Sequence, residues 1–500
     1  MNINTILGYT NKNIFGRWLL TLVQAVFLYW ICVYPQNWQN QLIVLAVQTI
    51  ISFNVYLKLL KSNFILKNKL DTIQCSNPLN DFYEFETTKI LYQKTNPFVN
   101  TSTYITSKFE MIRISFASST ISPYRIVGLV LWFTLQWLLS ISVLFLGSYK
   151  NYTKYAHILM LFFVRCGLFC IGFFWIDVKS KPKKLAPIIV VNHTTFLDIF
   201  CLLTQHAVSG VGAKEYAHLL LRGFVKMFDV VLIDRRDPDS RKTTITKIKS
   251  RVDLILKNKE KDNNYLPLVI FPEATCVNGQ NLINFKQGAF TAECDIQPII
   301  LEYQQSCNLM YHPAWLPVGP SLMINVLRLL AEPVNITSLK YLPSYHPSIV
   351  EKQDPVLFAK NVQKYMCDNS NLKAADFSYD DVRIMFHVMK INDISFCPNT
   401  TIVSFSQLKK LFSWITVEWI TEQITKLYLA ERNQNNEISI HAWHDLHIGQ
   451  NANNAAFLWN HLAKGTDDVF SMKYVEFIIT QCLIRDDSIK MSQNSIKKSF

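Results

Sequence analysis

Apolar runs of two lengths alternate with polar segments along this chain. Near the N-terminus, residues 18–34 and 42–60 are almost continuously apolar, and the turn-forming stretch 35–40 separates them. A second pair covers about 126–146 and 157–176, joined by a short polar loop with two lysines. Each run approaches the roughly 20 residues needed to cross a bilayer, so the pattern predicts two membrane hairpins. A cleaved signal peptide fits the first run poorly, because a second apolar run follows it without a small-residue cleavage site. Arg165 is expensive in lipid. Its run therefore reads equally as a re-entrant or half-buried helix packed on the rest of the chain. Residues 108–116 predict an amphipathic helix on the membrane surface.

From residue 185 the pattern changes to short β-branched runs alternating with helical periodicity. Strands are predicted at 188–191, 230–233, 268–271, 296–301 and 336–341, and helices at 196–206, 214–228, 243–256 and 321–330. This alternation predicts a layered α/β fold with both faces of the sheet covered. The organisation expected is a membrane hairpin and basic loop at 1–95 and a second membrane-associated helical region at 96–184. An α/β domain follows at 185–350, then a helix and linker at 351–375 and a helical region at 376–500.

The net charge of +13, with half the residues hydrophobic, suggests an anionic membrane surface. No zinc-finger spacing or interleaved basic-aromatic module points to nucleic acid. Lys58, Lys61, Lys67 and Lys69 come after Leu57 at the end of the first hairpin, and Lys179, Lys181, Lys183 and Lys184 follow the second. Positive-inside reasoning puts both clusters, and the α/β domain, in the cytosol. The eleven cysteines are scattered without metal spacing. They read as reduced residues of a cytosol-facing protein.

Two strand-to-turn passages carry candidate chemistry. The first is Ile188-Ile189-Val190-Val191-Asn192-His193-Thr194-Thr195-Phe196-Leu197-Asp198. A histidine at such a turn is placed to act as a base. Asp198 lies five residues on, and helical spacing would not bring the two together; they meet only if the first turn is non-helical. The plainer alternative is a helix cap beside a surface histidine. The second passage runs from Leu266 to Thr275 and ends Phe271-Pro272-Glu273-Ala274-Thr275.

Asn-His-four residues-Asp, followed about eighty residues later by Phe-Pro-Glu-Ala-Thr, resembles the glycerolipid acyltransferase family. Phe271–Cys276, Phe285-Lys286-Gln287-Gly288-Ala289-Phe290 and Arg235-Arg236-Asp237-Pro238-Asp239-Ser240-Arg241 are similar to its lysophosphatidylcholine acyltransferase branch. One departure is Ala274, where the family has glycine. The resemblance implies acyl transfer from acyl-CoA, a co-substrate, to a free glycerol hydroxyl of a lysophospholipid. His193 would be the base and Asp198 its orienting carboxylate. Asn192, Arg235, Glu273, Thr275 and Lys286 would bind substrate. Glu273 would orient Arg235 or accept from a glycerol hydroxyl, and Thr275 would bond the ligand or cap a following helix. Backbone N–H groups at the turn after the strand are the expected oxyanion donors. No metal or other cofactor is expected.

Lysophosphatidic acid or glycerol 3-phosphate as acceptor, and a catalytically silent lipid-binding scaffold, are the alternatives. Residues 431–438 resemble a degenerate EF-hand loop, with Asn436 at the turn-glycine position. A second candidate at 464–476 has Asp467 and Asp468 adjacent, so calcium binding is not expected. Lys497-Lys498 resembles an endoplasmic-reticulum retrieval signal, which fits residence in that membrane.

Overall fold

The computed structural model describes residues 97–98, 108–145, 149–214, 225–226, 228–233, 240–258, 266–304, 311–317, 322–392, 404–429, 438–439 and 469–470. The first membrane hairpin, its basic loop, Arg235, most of both EF-hand-like loops and the dilysine pair lie outside these residues. Described residues up to Ala375 belong to one compact unit, and those from Asp376 onward to a second.

The first unit opens with two helices, α1 (Lys108–Phe145) and α2 (Tyr149–Ile171). The expected amphipathic segment and the third apolar run are thus one continuous helix. Within α1, Ile112–Leu139 is long and apolar enough to cross a membrane, the one such span among the described residues. Its earlier part is docked: Glu110 pairs with Arg328 at 3.0 Å and Arg113 with Glu332 at 2.6 Å. Arg125 donates to the carbonyls of Leu330, Glu332 and Pro333. Removing one partner from such a buried pair typically costs about 3–5 kcal/mol. Further along, Val130, Leu131, Phe133, Leu135 and Leu138 are exposed.

The fourth apolar run is shorter than a span. Helix α2 ends at Gly172, whose φ of 100° suits glycine, with the Phe173 N–H reaching back to Leu168 O at 3.0 Å. Arg165 is satisfied by the carbonyls of Phe173 and Phe174. Met160, Val164 and Leu168, four residues apart, are buried against one face of the sheet.

That sheet contains β1 (Ile176–Lys179), β2 (Ile188–Val191), β3 (Ser209–Ala213), β4 (Val231–Ile233), β5 (Leu268–Ile270), β7 (Ile296–Gln304) and β8 (Ile336–Tyr341). Its order is β1-β8-β7-β2-β5-β3-β4. All neighbours are parallel except the β7–β8 pair. The sequence pattern missed β1, hidden in an apolar run, and β3, whose Ser-Gly-Val-Gly-Ala dilutes the strand signal.

Strand β2 lies near the centre and all four of its residues are buried. Ile189 and Val191 face the core with α2 and α3 (Asp198–Leu203); Ile188 and Val190 face the other core, with α4 (Ser240–Asn258). Each such side chain contributes about 1.5–3 kcal/mol on burial, which explains an unbroken β-branched run.

After α5 (Leu322–Ala331) and β8 come α6 (Ile349–Gln353) and α7 (Pro355–Asp368). Ser348 and Glu351 form a capping box, and Asp354 caps α7 ahead of Pro355. Phe358, Ala359, Val362 and Met366 are buried in the second core. Residues 373–374 form β9, which pairs with β6 (Asn281–Leu282). The segment 351–375, expected as a helix and linker, is therefore part of the α/β unit.

The second unit shows α8 (Tyr379–Asn392), α9 (Phe405–Leu411) and α10 (Val417–Leu429). The buried Asp381 carboxylate accepts from Ser378 and from the Phe405 N–H. Burial pushes that carboxyl up to about 6. The two-residue strands β10 (Ile438–Ser439) and β11 (Val469–Phe470) pair antiparallel.

Candidate active site

The site begins where β2 ends. Strand β7 overshoots β2, since Val191 is already in register with Ile299. Asn192 continues the ladder with its side chain: Nδ2 donates to Leu301 O at 2.9 Å, and Oδ1 accepts from Leu301 N at 2.8 Å. Asn192 is 1% exposed. The Asn192 side chain thus acts as a strand-to-strand clamp, with each end of the amide bonded to backbone.

His193 then leaves the sheet. Residues 194–197 are non-helical, and α3 starts at Asp198. This geometry lets Asp198 fold back over its own turn. Its Oδ2 meets His193 Nδ1 at 2.8 Å and accepts the N–H groups of Thr194 at 2.6 Å and Thr195 at 3.0 Å. A carboxylate only accepts, so Nδ1 carries the proton and Nε2 is left as the basic nitrogen. The imidazole is 23% exposed, whereas Asp198 is fully buried. Phe271 stacks on the ring at 4.3 Å between centroids, 25° from parallel. Base, orienting carboxylate and a flat support for the ring thus converge on one turn.

Glu273 sits in the turn after β5 and is fully buried. Oε1 accepts from His193 N at 2.8 Å and Oε2 from Ile283 N at 3.2 Å. Burial pushes its carboxyl up to about 8; the two N–H donors oppose the shift and the Asp198 charge adds a little. With both oxygens on backbone, Glu273 fastens the histidine turn to the 281–290 loop. The N–H groups of His193, Thr194 and Thr195 all have side-chain carboxyl acceptors.

Thr275 is 8% exposed, and no helix begins after it. Its expected cap role is absent. Lys286 is half-buried, with its N–H on Pro272 O at 2.8 Å, which brings its loop to the same turn. Ala274 is exposed and holds φ at 59°, the left-handed region that favours glycine.

Two neighbours carry no sequence signal. Tyr303, on β7, donates to Asp198 Oδ1 at 2.7 Å. His312 lies beside the turn, where a Cβ on Gly279 would meet its ring at 2.9 Å and the Thr194 methyl at 3.2 Å. Burial pulls His312 down to about 4, so it stays neutral near pH 7. The same segment covers the turn through Trp315 N to Thr194 O at 3.0 Å.

Comparison with known proteins bears on the same residues. Residues 174–302, which contain β2, His193, Asp198 and the Glu273 turn, match the Acyltransferase family. The chain is similar to lysophosphatidylcholine acyltransferase 2B of Rattus norvegicus, 31% identical over 60% of this chain and 58% of that protein. It is also similar to lysophosphatidylcholine acyltransferase 1 of Danio rerio, 28% identical over 63% and 60%, and to the Drosophila melanogaster lysophosphatidylcholine acyltransferase, 28% identical over 59% and 55%. The chain spans less than two thirds of the length of these relatives. A solved 1-acyl-sn-glycerophosphate acyltransferase from Thermotoga maritima aligns with 49% of this chain and 94% of its own. At 13% identity and a TM-score of 0.33, that likeness carries no argument.

Proposed function

We propose that this chain is a membrane-associated acyltransferase that moves an acyl group from acyl-CoA to the free glycerol hydroxyl of a lysophospholipid, with His193 as general base. The observation that carries the reading is the His193–Asp198 pair, with Nδ1 held at 2.8 Å and Nε2 left basic. The hydroxyl oxygen attacks the thioester carbon as its proton passes to Nε2. Asp198 stabilises the imidazolium that forms. Collapse of the tetrahedral intermediate breaks the C–S bond and releases coenzyme A, whose thiol needs little acid help. The names of the related proteins favour lysophosphatidylcholine as acceptor.

Arg235 and Lys286 remain the proposed cations for the lysophospholipid phosphate, with Arg235 offering a bidentate fork. Acyl-CoA enters as co-substrate, and no metal is assigned a step. The apolar stretch Ile112–Leu139 supports membrane association, and the endoplasmic reticulum is the proposed membrane.

Acyl transfer in detergent micelles tests the proposal, with oleoyl-CoA and a panel of lysophospholipids offered to wild type and His193→Ala. Turnover by wild type, lost in the variant with its circular dichroism unchanged, is expected and names the acceptor. No turnover by wild type on any acceptor would favour a lipid-binding scaffold, and equal turnover by both proteins would remove His193 as base.

A further inference from the structure

Asp198 receives its donors unevenly. Oδ2 has three, from His193 and two backbone N–H groups, whereas Oδ1 has the Tyr303 hydroxyl at 2.7 Å. Tyr303 reaches this point because β7 continues four residues past the register partner of Val191. Ile299, Leu301 and Tyr303 share the face that carries Val191 and the start of α3. The phenol ring is held edge-on by Phe173 at 6.1 Å. Its oxygen lies 3.7 Å from Cys201 Sγ, one helical turn past Asp198. Because Asp198 only accepts, the phenol proton belongs to Oδ1 and the Cys201 S–H is the donor to the phenol oxygen.

We infer that Tyr303 is a positioning residue for the base: its O–H fixes the charge and orientation of Asp198 so that the acceptor's proton is taken at His193 Nε2. The inference rests on the proposed role of His193. A carboxylate with a donor on each oxygen keeps its negative charge and leaves the shared proton on Nδ1 when the imidazolium forms. Without Tyr303, Oδ1 would be buried and bare, and the pair would bind its first proton more tightly. Burial and the Asp198 charge hold the Tyr303 phenol well above its ordinary range, so it remains a donor throughout the working pH. The other titratable or charged groups around this cluster are Glu273, Cys276, Cys201, His312 and Arg165. Deleting the hydroxyl also removes the acceptor of the Cys201 S–H, a thiol that burial pushes up to about 12 and so keeps neutral.

The test compares the full-length wild type with Tyr303→Phe and Tyr341→Phe in micelles, reading acyl-transfer rate against pH. Tyr341 is a control: it is a buried tyrosine of the same sheet whose hydroxyl has no hydrogen-bond partner. In Tyr303→Phe the acid limb should move up by about one pH unit, the size of one hydrogen bond to a charged group. Its kcat should fall while KM for acyl-CoA holds, and Tyr341→Phe should match wild type. Site-specific 3-fluorotyrosine at 303, a stronger donor of nearly the same size, should move the limb down. This second variant covers a folding failure of the first.

The His193 signal in carbon-13 histidine NMR, identified by its loss in His193→Gln, reports the same titration without turnover. An inactive wild type would therefore sink the function proposal while leaving this inference decidable. A midpoint and limb unmoved in both position-303 variants, or moved equally by Tyr341→Phe, would overturn the role of Tyr303.

Discussion

Two turns of this molecule hold a fully buried carboxylate that accepts backbone N–H groups, yet they serve different ends. Asp198, after β2, accepts two N–H groups and also His193 Nδ1 and the Tyr303 hydroxyl. Glu273, after β5, accepts two N–H groups alone. The first carboxylate touches a side chain that can react, and the second touches the main chain that holds this side chain in place. A buried acid beside a candidate base is therefore assigned by its donors, not by its distance from the base.

The largest effect that sharpens this contrast is expected from His193→Ala, with acyl transfer falling on the order of 10⁴-fold. Asp198→Asn should be of comparable size, up to about 10⁴-fold by the precedent of serine-protease triads. Rates of both variants in single-turnover assays check these values. Rates at or near wild type would dissolve the distinction between the two turns.

Glu273→Gln should change stability more visibly than mechanism. The folded Glu273 carboxyl, pushed up to about 8 from the ordinary 4.5, retains a proton that the unfolded chain releases. Its contribution is therefore fully present below the unfolded value. It is lost as pH rises through about 8, a change of roughly a few kcal/mol. Denaturant unfolding at pH 5 and pH 8 should show wild type weakening with pH relative to Glu273→Gln. Parallel curves would mean that Glu273 is ionised in the fold.

The smallest expected effect is a gain. Ala274→Gly relieves a left-handed backbone at φ 59° and should stabilise the chain by about 1 kcal/mol. Thermal unfolding reads it, and an unchanged midpoint would show that the turn tolerates alanine without strain.

Much of this arrangement was legible along the chain wherever neighbours in sequence are neighbours in space. The β-branched run 188–191 announced the central strand, and the five-residue gap to Asp198 demanded the non-helical turn that is observed. Tyr303 was illegible because only the overshoot of β7 past β2 carries it to Asp198. The clamp made by Asn192 was illegible because a polar residue at a strand end looks the same whether it faces a ligand or holds a neighbouring strand. Residues 351–375 were misread for a related reason. Ser348, Asp354 and Pro355 punctuate the sequence like a linker, yet Ser348 begins α6, and Asp354 and Pro355 begin α7, whose apolar face completes the core.

The rigid docking of α1 has a consequence for geometry at a bilayer. The helix is about 57 Å long at 1.5 Å per residue, nearly twice the roughly 30 Å hydrocarbon thickness. Glu110, Arg113 and Arg125 bolt its first portion to the unit that carries His193, and Val130, Leu131, Phe133, Leu135 and Leu138 are exposed further along. If that later portion lies in lipid, α1 is a ruler, and the spacing from Arg125 to Leu131 sets the altitude of the imidazole above the headgroups. One inserted residue there would lift the catalytic unit by about 1.5 Å and swivel it by about 100°. The reach of His193 toward a glycerol hydroxyl would then be encoded in residue count, far from any group that meets the substrate.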